Sequence, residues 1–125
     1  MCHNLNISEN NIATNVGTTG QFTFNGRSIQ NVNIANNKFK KVNVASAEMI
    51  DAVNCGGNSI QTLNFSENPS LTTLLCADNS LTSVTGFENE CSLQTLVAYN
   101  NQLTTLDLAG AEELTHLNVN TNELS

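Results

Sequence analysis

Residues 93–108 read LQTLVAYNNQLTTLDL, and residues 71–84 read LTTLLCADNSLTSV. Laid over one another with Leu71 and Leu93 as position 1, both place apolar residues at positions 4, 6, 11 and 14 and Asn at position 9. The frame extends in both directions, with Ile29, Ile50 and Leu114 as further position-1 residues. Position 4 is then Val32, Val53, Leu74, Leu96 and Leu117. Position 6 is Ile34, Cys55, Cys76, Ala98 and Val119, and position 11 is Phe39, Ile60, Leu81, Leu103 and Leu124. The starts are separated by 21, 21, 22 and 21 residues. Phe87 stands in for Gly86 at position 16 of the longer copy. A first copy begins at Cys2, with Leu5, Ile7, Asn10 and Ile12 at positions 4, 6, 9 and 11. It carries an insertion over Val16–Gln21, after which Phe22 and Phe24 serve as positions 14 and 16. The copies are 2–28, 29–49, 50–70, 71–92, 93–113 and 114–125, forming one domain.

The repeat dictates a fold. Alternation at positions 4 and 6 is the period of a strand with one buried face. A single copy is too short to bury that face, and stacking joins the faces into a common core. The spacing predicts a solenoid with one parallel sheet of six strands, centred near residues 4–8, 31–35, 52–56, 73–77, 95–99 and 116–120. Positions 14 and 16 predict a second short element. A copy of this length leaves no room for a long helix there, so extended or 3₁₀ segments are expected on the return side.

The chain holds 22 Asn among 125 residues, and the repeat explains much of this excess. Asn10, Asn37, Asn58, Asn79, Asn101 and Asn122 all fall at position 9. There the chain leaves the strand with its backbone polar groups turned inward, and buried backbone groups require partners. An Asn amide is both donor and acceptor, so a stacked ladder of these six side chains is expected. Gly56-Gly57 suits a tight bend at the strand end.

The motif L-x-x-L-x-L-x-x-N-x-L resembles the leucine-rich repeat family, and the short copies with Cys at position 6 resemble bacterial surface and internalin-like repeats. The resemblance implies a right-handed coil with a concave parallel sheet. It also implies a non-catalytic role, binding a protein, peptide or glycan ligand on that sheet, in an extracellular or cell-surface setting.

Lys+Arg is 4 and Asp+Glu is 11, a net charge of −7. All four basic residues precede residue 42, and ten acids follow it. An acidic chain lacks the basic field that nucleic acid requires. No apolar run approaches the roughly 18 residues of a spanning helix, so no membrane insertion is expected, and no signal peptide is read in this segment. No catalytic motif is present, and the two histidines fall in the terminal copies. No metal or cofactor is expected. Glu48, Glu67, Glu88, Glu90, Glu112 and Glu113 precede the strands and are read as a solvated acidic edge rather than a Ca²⁺ site. Cys55 and Cys76 are read as stacked core thiols.

Positions 3, 5, 7 and 8 are expected to face outward on the sheet. Leu75, Val97 and Tyr99 would then form an exposed apolar cluster on neighbouring strands. Thr95, Asp78, Asn100, His116 and Asn118 surround it, and together these eight are the candidate ligand-binding residues. A second expectation is a structural segment that self-associates end to end, because neither end carries a polar cap.

Overall fold

The computed structural model describes residues 4–6, 8–9, 21–23 and 28–124. Cys2, His3, Ile7, Asn10, Ile12, Phe24 and most of the first-copy insertion lie outside them. Among the described residues, ten strands of three residues each follow one another: β1 (Asn4–Asn6), β2 (Gln21–Thr23), β3 (Asn31–Asn33), β4 (Lys41–Asn43), β5 (Ala52–Asn54), β6 (Thr62–Asn64), β7 (Thr73–Leu75), β8 (Ser83–Thr85), β9 (Thr95–Val97) and β10 (His116–Asn118).

Strands β1, β3, β5, β7, β9 and β10 form one six-stranded parallel sheet in that order. Residues of equal repeat position are direct partners throughout, as in Val32↔Val53, Val53↔Leu74 and Leu74↔Leu96. The protein is therefore a repeat solenoid, as the periodicity predicts. The strands are shorter than the sequence suggests because each soon meets a sharp corner. Position 8 is left-handed in every copy: Glu9, Asn36, Gly57, Asp78, Asn100 and Thr121 have φ between 53° and 68°. Asn, Asp and Gly tolerate this region best, which accounts for the four interior residues.

The return side is extended, and the described residues contain no α- or 3₁₀-helix. It is not one sheet. β2 pairs with β4, setting Phe22 opposite Val42, and β6 pairs with β8, setting Leu63 opposite Val84. β4 and β6 are not paired. Instead Asn68 donates its Nδ2 to the Val44 and Ala47 carbonyls at 2.8 and 3.0 Å. Two successive turns then carry the chain to the next coil. In the third copy they are closed by Asn68 N–H to the Phe65 carbonyl and Leu71 N–H to the Asn68 carbonyl.

The core lies between the two sides. Ile34, Cys55, Cys76 and Ala98 under the six-stranded sheet are fully buried. Phe39, Phe65 and Phe87 fill the opposite wall, and the Phe65 and Phe87 rings stack at 6.0 Å. Phe87 thus occupies the site that Gly86 would have taken. Burying each such side chain contributes about 1.5–3 kcal/mol. Two apolar repeat positions depart from the expected burial. Leu117 is 50% exposed and Leu124 39%, because β10 has a neighbour on one side only.

The position-9 amides tie each coil to the one before. Asn79 donates Nδ2 to the carbonyls of Cys55, Cys76 and Ala77 at 3.0–3.2 Å. Its Oδ1 accepts the Ile60 N–H at 3.1 Å. Asn58, Asn101 and Asn122 repeat the arrangement, their Oδ1 atoms accepting from Phe39, Leu81 and Leu103. Asn37 donates to the Ile34 and Ala35 carbonyls. One side chain thereby serves four main-chain groups on two coils, which is why no other residue type stands there.

Candidate functional site

The outward face of the six-stranded sheet is built from rows that run across the strands. At position 5 the register aligns Asn6, Asn33, Asn54, Leu75, Val97 and Asn118. At position 3 it aligns Asn4, Asn31, Ala52, Thr73, Thr95 and His116. Asn31 donates its Nδ2 to Asn4 Oδ1 at 2.6 Å, coupling two members of that row.

The position-5 amides are oriented by their own backbone. Asn6 Oδ1 accepts the Ser8 N–H at 3.1 Å, Asn33 Oδ1 the Ala35 N–H at 3.1 Å, and Asn54 Oδ1 the Gly56 N–H at 3.2 Å. Asn118 does the same with Asn120. Each of these four oxygens is thereby engaged within its own coil.

Two shallow depressions lie on this face. One, of about 210 Å³, is walled by Asn6, Asn31, Asn33 and Asn54 over a floor that includes Val32, Ala52 and Val53. The other, of about 250 Å³, is lined by Ala35, Gly56 and Ala77 and bounded by Leu75, Val97, Tyr99, Asn36 and Asp78. Asn54 and Leu75 line both, so the two adjoin. Small residues at position 7 leave the room.

Of the eight residues singled out from the sequence, Leu75, Val97, Tyr99 and Asp78 meet around the second depression. Leu75, Val97 and Tyr99 are half-buried rather than fully exposed, since neighbouring strands stand only about 4.8 Å apart and shield one another. Thr95, Asn100, His116 and Asn118 line neither depression. Asn100 donates its Nδ2 to Asp78 Oδ1 at 2.7 Å. Both are left-handed corner residues on consecutive coils, so position 8 forms the rim of the face. His116 Nδ1 lies 3.0 Å from the Thr115 hydroxyl. Apart from Leu75, the residues lining the first depression are not among those singled out from the sequence, although the run of Asn at position 5 is its visible sign.

The titratable groups offer little chemistry. Cys55, Cys76 and Cys91 are free thiols. Burial pushes the Cys55 thiol up to about 12 and also raises Cys76 well above its ordinary value. Such thiols stay protonated and unreactive at neutral pH. Glu88 is held below its usual range by the backbone N–H of Gly86, which donates to its carboxylate at 2.8 Å. Glu48, Glu67, Glu90, Glu112 and Glu113 are all exposed. Among the described residues, no three His, Cys, Asp or Glu side chains gather where a metal could be held. No helix among them is long and apolar enough to cross a membrane.

No protein-family model, curated protein or solved structure matches this chain. What the arrangement offers is a sheet face with two adjoining depressions, one lined by Asn6, Asn31, Asn33 and Asn54 and the other bounded by Leu75, Val97, Tyr99 and Asp78.

Proposed function

We propose that the protein is a non-catalytic recognition module of the leucine-rich repeat kind, binding its ligand across the six-stranded face. The observation that carries this reading is the depression of about 250 Å³ bounded by Leu75, Val97 and Tyr99 with Asp78 at its rim. Depressions that mix apolar walls with a few fixed polar groups are the usual form of binding sites. Tyr supplies large contact area with little entropy to lose, which makes it a favoured anchor. The repeat pattern supports placement at a bacterial surface or in a secreted protein.

The test is a screen of the purified protein against arrays of defined peptides and oligosaccharides. Any ligand found is then remeasured with Tyr99→Ala combined with Val97→Ser. Binding is expected to fall at least tenfold with the melting midpoint held. Undiminished binding places the site elsewhere.

A second reading, self-association end to end, draws on the exposed Leu117 and Leu124 at the β10 edge. Sedimentation velocity over a wide concentration range is then expected to show growing assemblies that Leu117→Lys abolishes. A concentration-independent monomer excludes it.

A further inference from the structure

The chemistry around the second depression narrows the ligand class, resting on the recognition reading above. Asn36, Gly57 and Asp78 line this depression as the position-8 residues of three consecutive coils. Gly57 contributes no side chain to the rim. The Asn36 amide leans across it instead, so that a Cβ on Gly57 would overlap Asn36 Oδ1. On the next coil Asp78 takes the Asn100 Nδ2 donor on its Oδ1. Asp78 Oδ2 and Asn36 Oδ1 accept no hydrogen bond from the described residues. Two unfilled acceptors, one of them on a charged carboxylate, thus stand at Gly57 and at the coil that follows it.

The charge of the face agrees. Across positions 3, 5, 7 and 8 of the described coils the acids are Glu9 and Asp78, and no Lys or Arg is present. Lys38, Lys40 and Lys41 fall at positions 10, 12 and 13, past the corner. The chain as a whole carries −7. Such a field attracts cations and repels anions. A Lys or Arg head group is rich in donors and has no acceptor, which complements the unfilled oxygens. Its methylene stem covers apolar surface while the charge stays at the edge, and Leu75 and Val97 supply that surface. Tyr99 adds an aromatic ring, to which both cations are attracted. The adjoining depression shares Asn54 and Leu75 with this one and is almost wholly apolar. A free amine leaves it empty. An extended segment fills both, because side chains two residues apart point the same way.

We infer that the depression at Gly57 seats the Lys or Arg side chain of a basic protein segment, with an apolar side chain of the same segment in the adjoining depression.

The experiment titrates the full chain with acetyl-Gly-Leu-Gly-Arg-Gly-amide and its Lys counterpart, followed by NMR. A further peptide carries citrulline in place of Arg, which keeps the shape and removes the charge. At least one cationic peptide is expected to give saturable shifts at Gly57, Tyr99 and the Asn36 side-chain amide. The citrulline peptide should bind about threefold more weakly, and high salt should narrow that difference. Asp78→Asn keeps an oxygen for Asn100 and a residue that tolerates the left-handed corner, and removes only the charge. It should weaken the cationic peptide about threefold with an unchanged melting midpoint. Asp107→Asn removes the same charge on the return side, keeping an oxygen for the Ala109 N–H, and should leave affinity unaltered. Absence of saturable shifts with both cationic peptides overturns the inference, as does citrulline binding of equal strength or binding that Asp78→Asn leaves intact. Equal shifts with spermidine or calcium chloride overturn the choice of a protein segment. A ligand from the screen above that Tyr99→Ala with Val97→Ser abolishes and Asp78→Asn spares overturns the cationic assignment and keeps the recognition face. A screen ligand that neither change affects defeats both.

Discussion

The two long sides of the solenoid are made by the same chain in the same coils, yet one is continuous and the other is broken. The outward-facing sheet carries six strands in perfect register. The return side holds two separate pairs, β2–β4 and β6–β8, and its fifth copy contributes no strand. Between β4 and β6 a cleft of about 230 Å³ opens, lined by Lys41, Asn43, Thr62, Asn64 and Glu67 among others. The difference follows the fastening. On the six-stranded side the corners at Gly57, Asp78, Asn100 and Thr121 are each followed by an amide that bonds to two coils. On the return side the amides of Asn43 and Asn64 bond only to backbone N–H groups two residues on, within their own coil. Asn68 is the exception, crossing to the preceding coil by its Nδ2, and its buried Oδ1 has no partner. Bridging amides thus accompany continuous register on the six-stranded side, whereas on the return side the Asn68 bridge spans the gap that β4 and β6 leave unpaired.

Breaking the bridging side should have the largest effect. Asn79→Ala orphans the Ile60 N–H and removes the donor shared by three carbonyls. Each buried group left unsatisfied costs about 1–3 kcal/mol, so a loss of about 3 kcal/mol is expected in urea unfolding. A midpoint equal to that of the unaltered protein would remove the fastening argument.

A smaller, pH-dependent effect also belongs to this side, because Cys55 and Cys76 lie under it while the opposite wall is aromatic. Cys55 keeps its proton in the fold to about pH 12, whereas the ordinary thiol value is 9.0. Between these values the unfolded chain is the more deprotonated, so stability falls as pH rises. The slope due to this thiol is about 1.4 kcal/mol per pH unit. Chemical denaturation from pH 8 upward should show a steeper alkaline decline in the unaltered protein than in Cys55→Ala with Cys76→Ala. Parallel curves would contradict buried, protonated thiols.

The smallest change is expected across the break. Asn64→Ala removes one local bond at an exposed residue and should shift stability by no more than about 0.5 kcal/mol. A loss approaching that of Asn79→Ala would erase the distinction between the two sides.

The sequence made the coil legible because the apolar residues at positions 4, 6 and 11 of the interior copies are all buried, and Val32, Val53, Leu74 and Leu96 pack as their periodicity dictates. Less was legible where neighbours decide. Leu117 matches the pattern but lies on a strand with one partner. The gap between β4 and β6 has no compositional mark. Position 8 was grouped with the ligand-facing residues, whereas Glu9, Asn36, Gly57, Asp78, Asn100 and Thr121 are corner residues defined by backbone conformation. The apolar sector around Tyr99 was readable from position alone. The local bonding of the position-5 amides was not, because it depends on the turn of backbone that follows each strand.

The amide ladder has a mechanical consequence. Each bridging Asn reaches one coil back and no further, so load applied along the stacking axis is shared only between adjacent coils. Pulled from its ends, such a chain peels in repeat-sized steps, the outermost coil yielding before its neighbour feels the strain. Stiffness is then a local property of each coil boundary, and lengthening the array extends its reach without hardening any single joint.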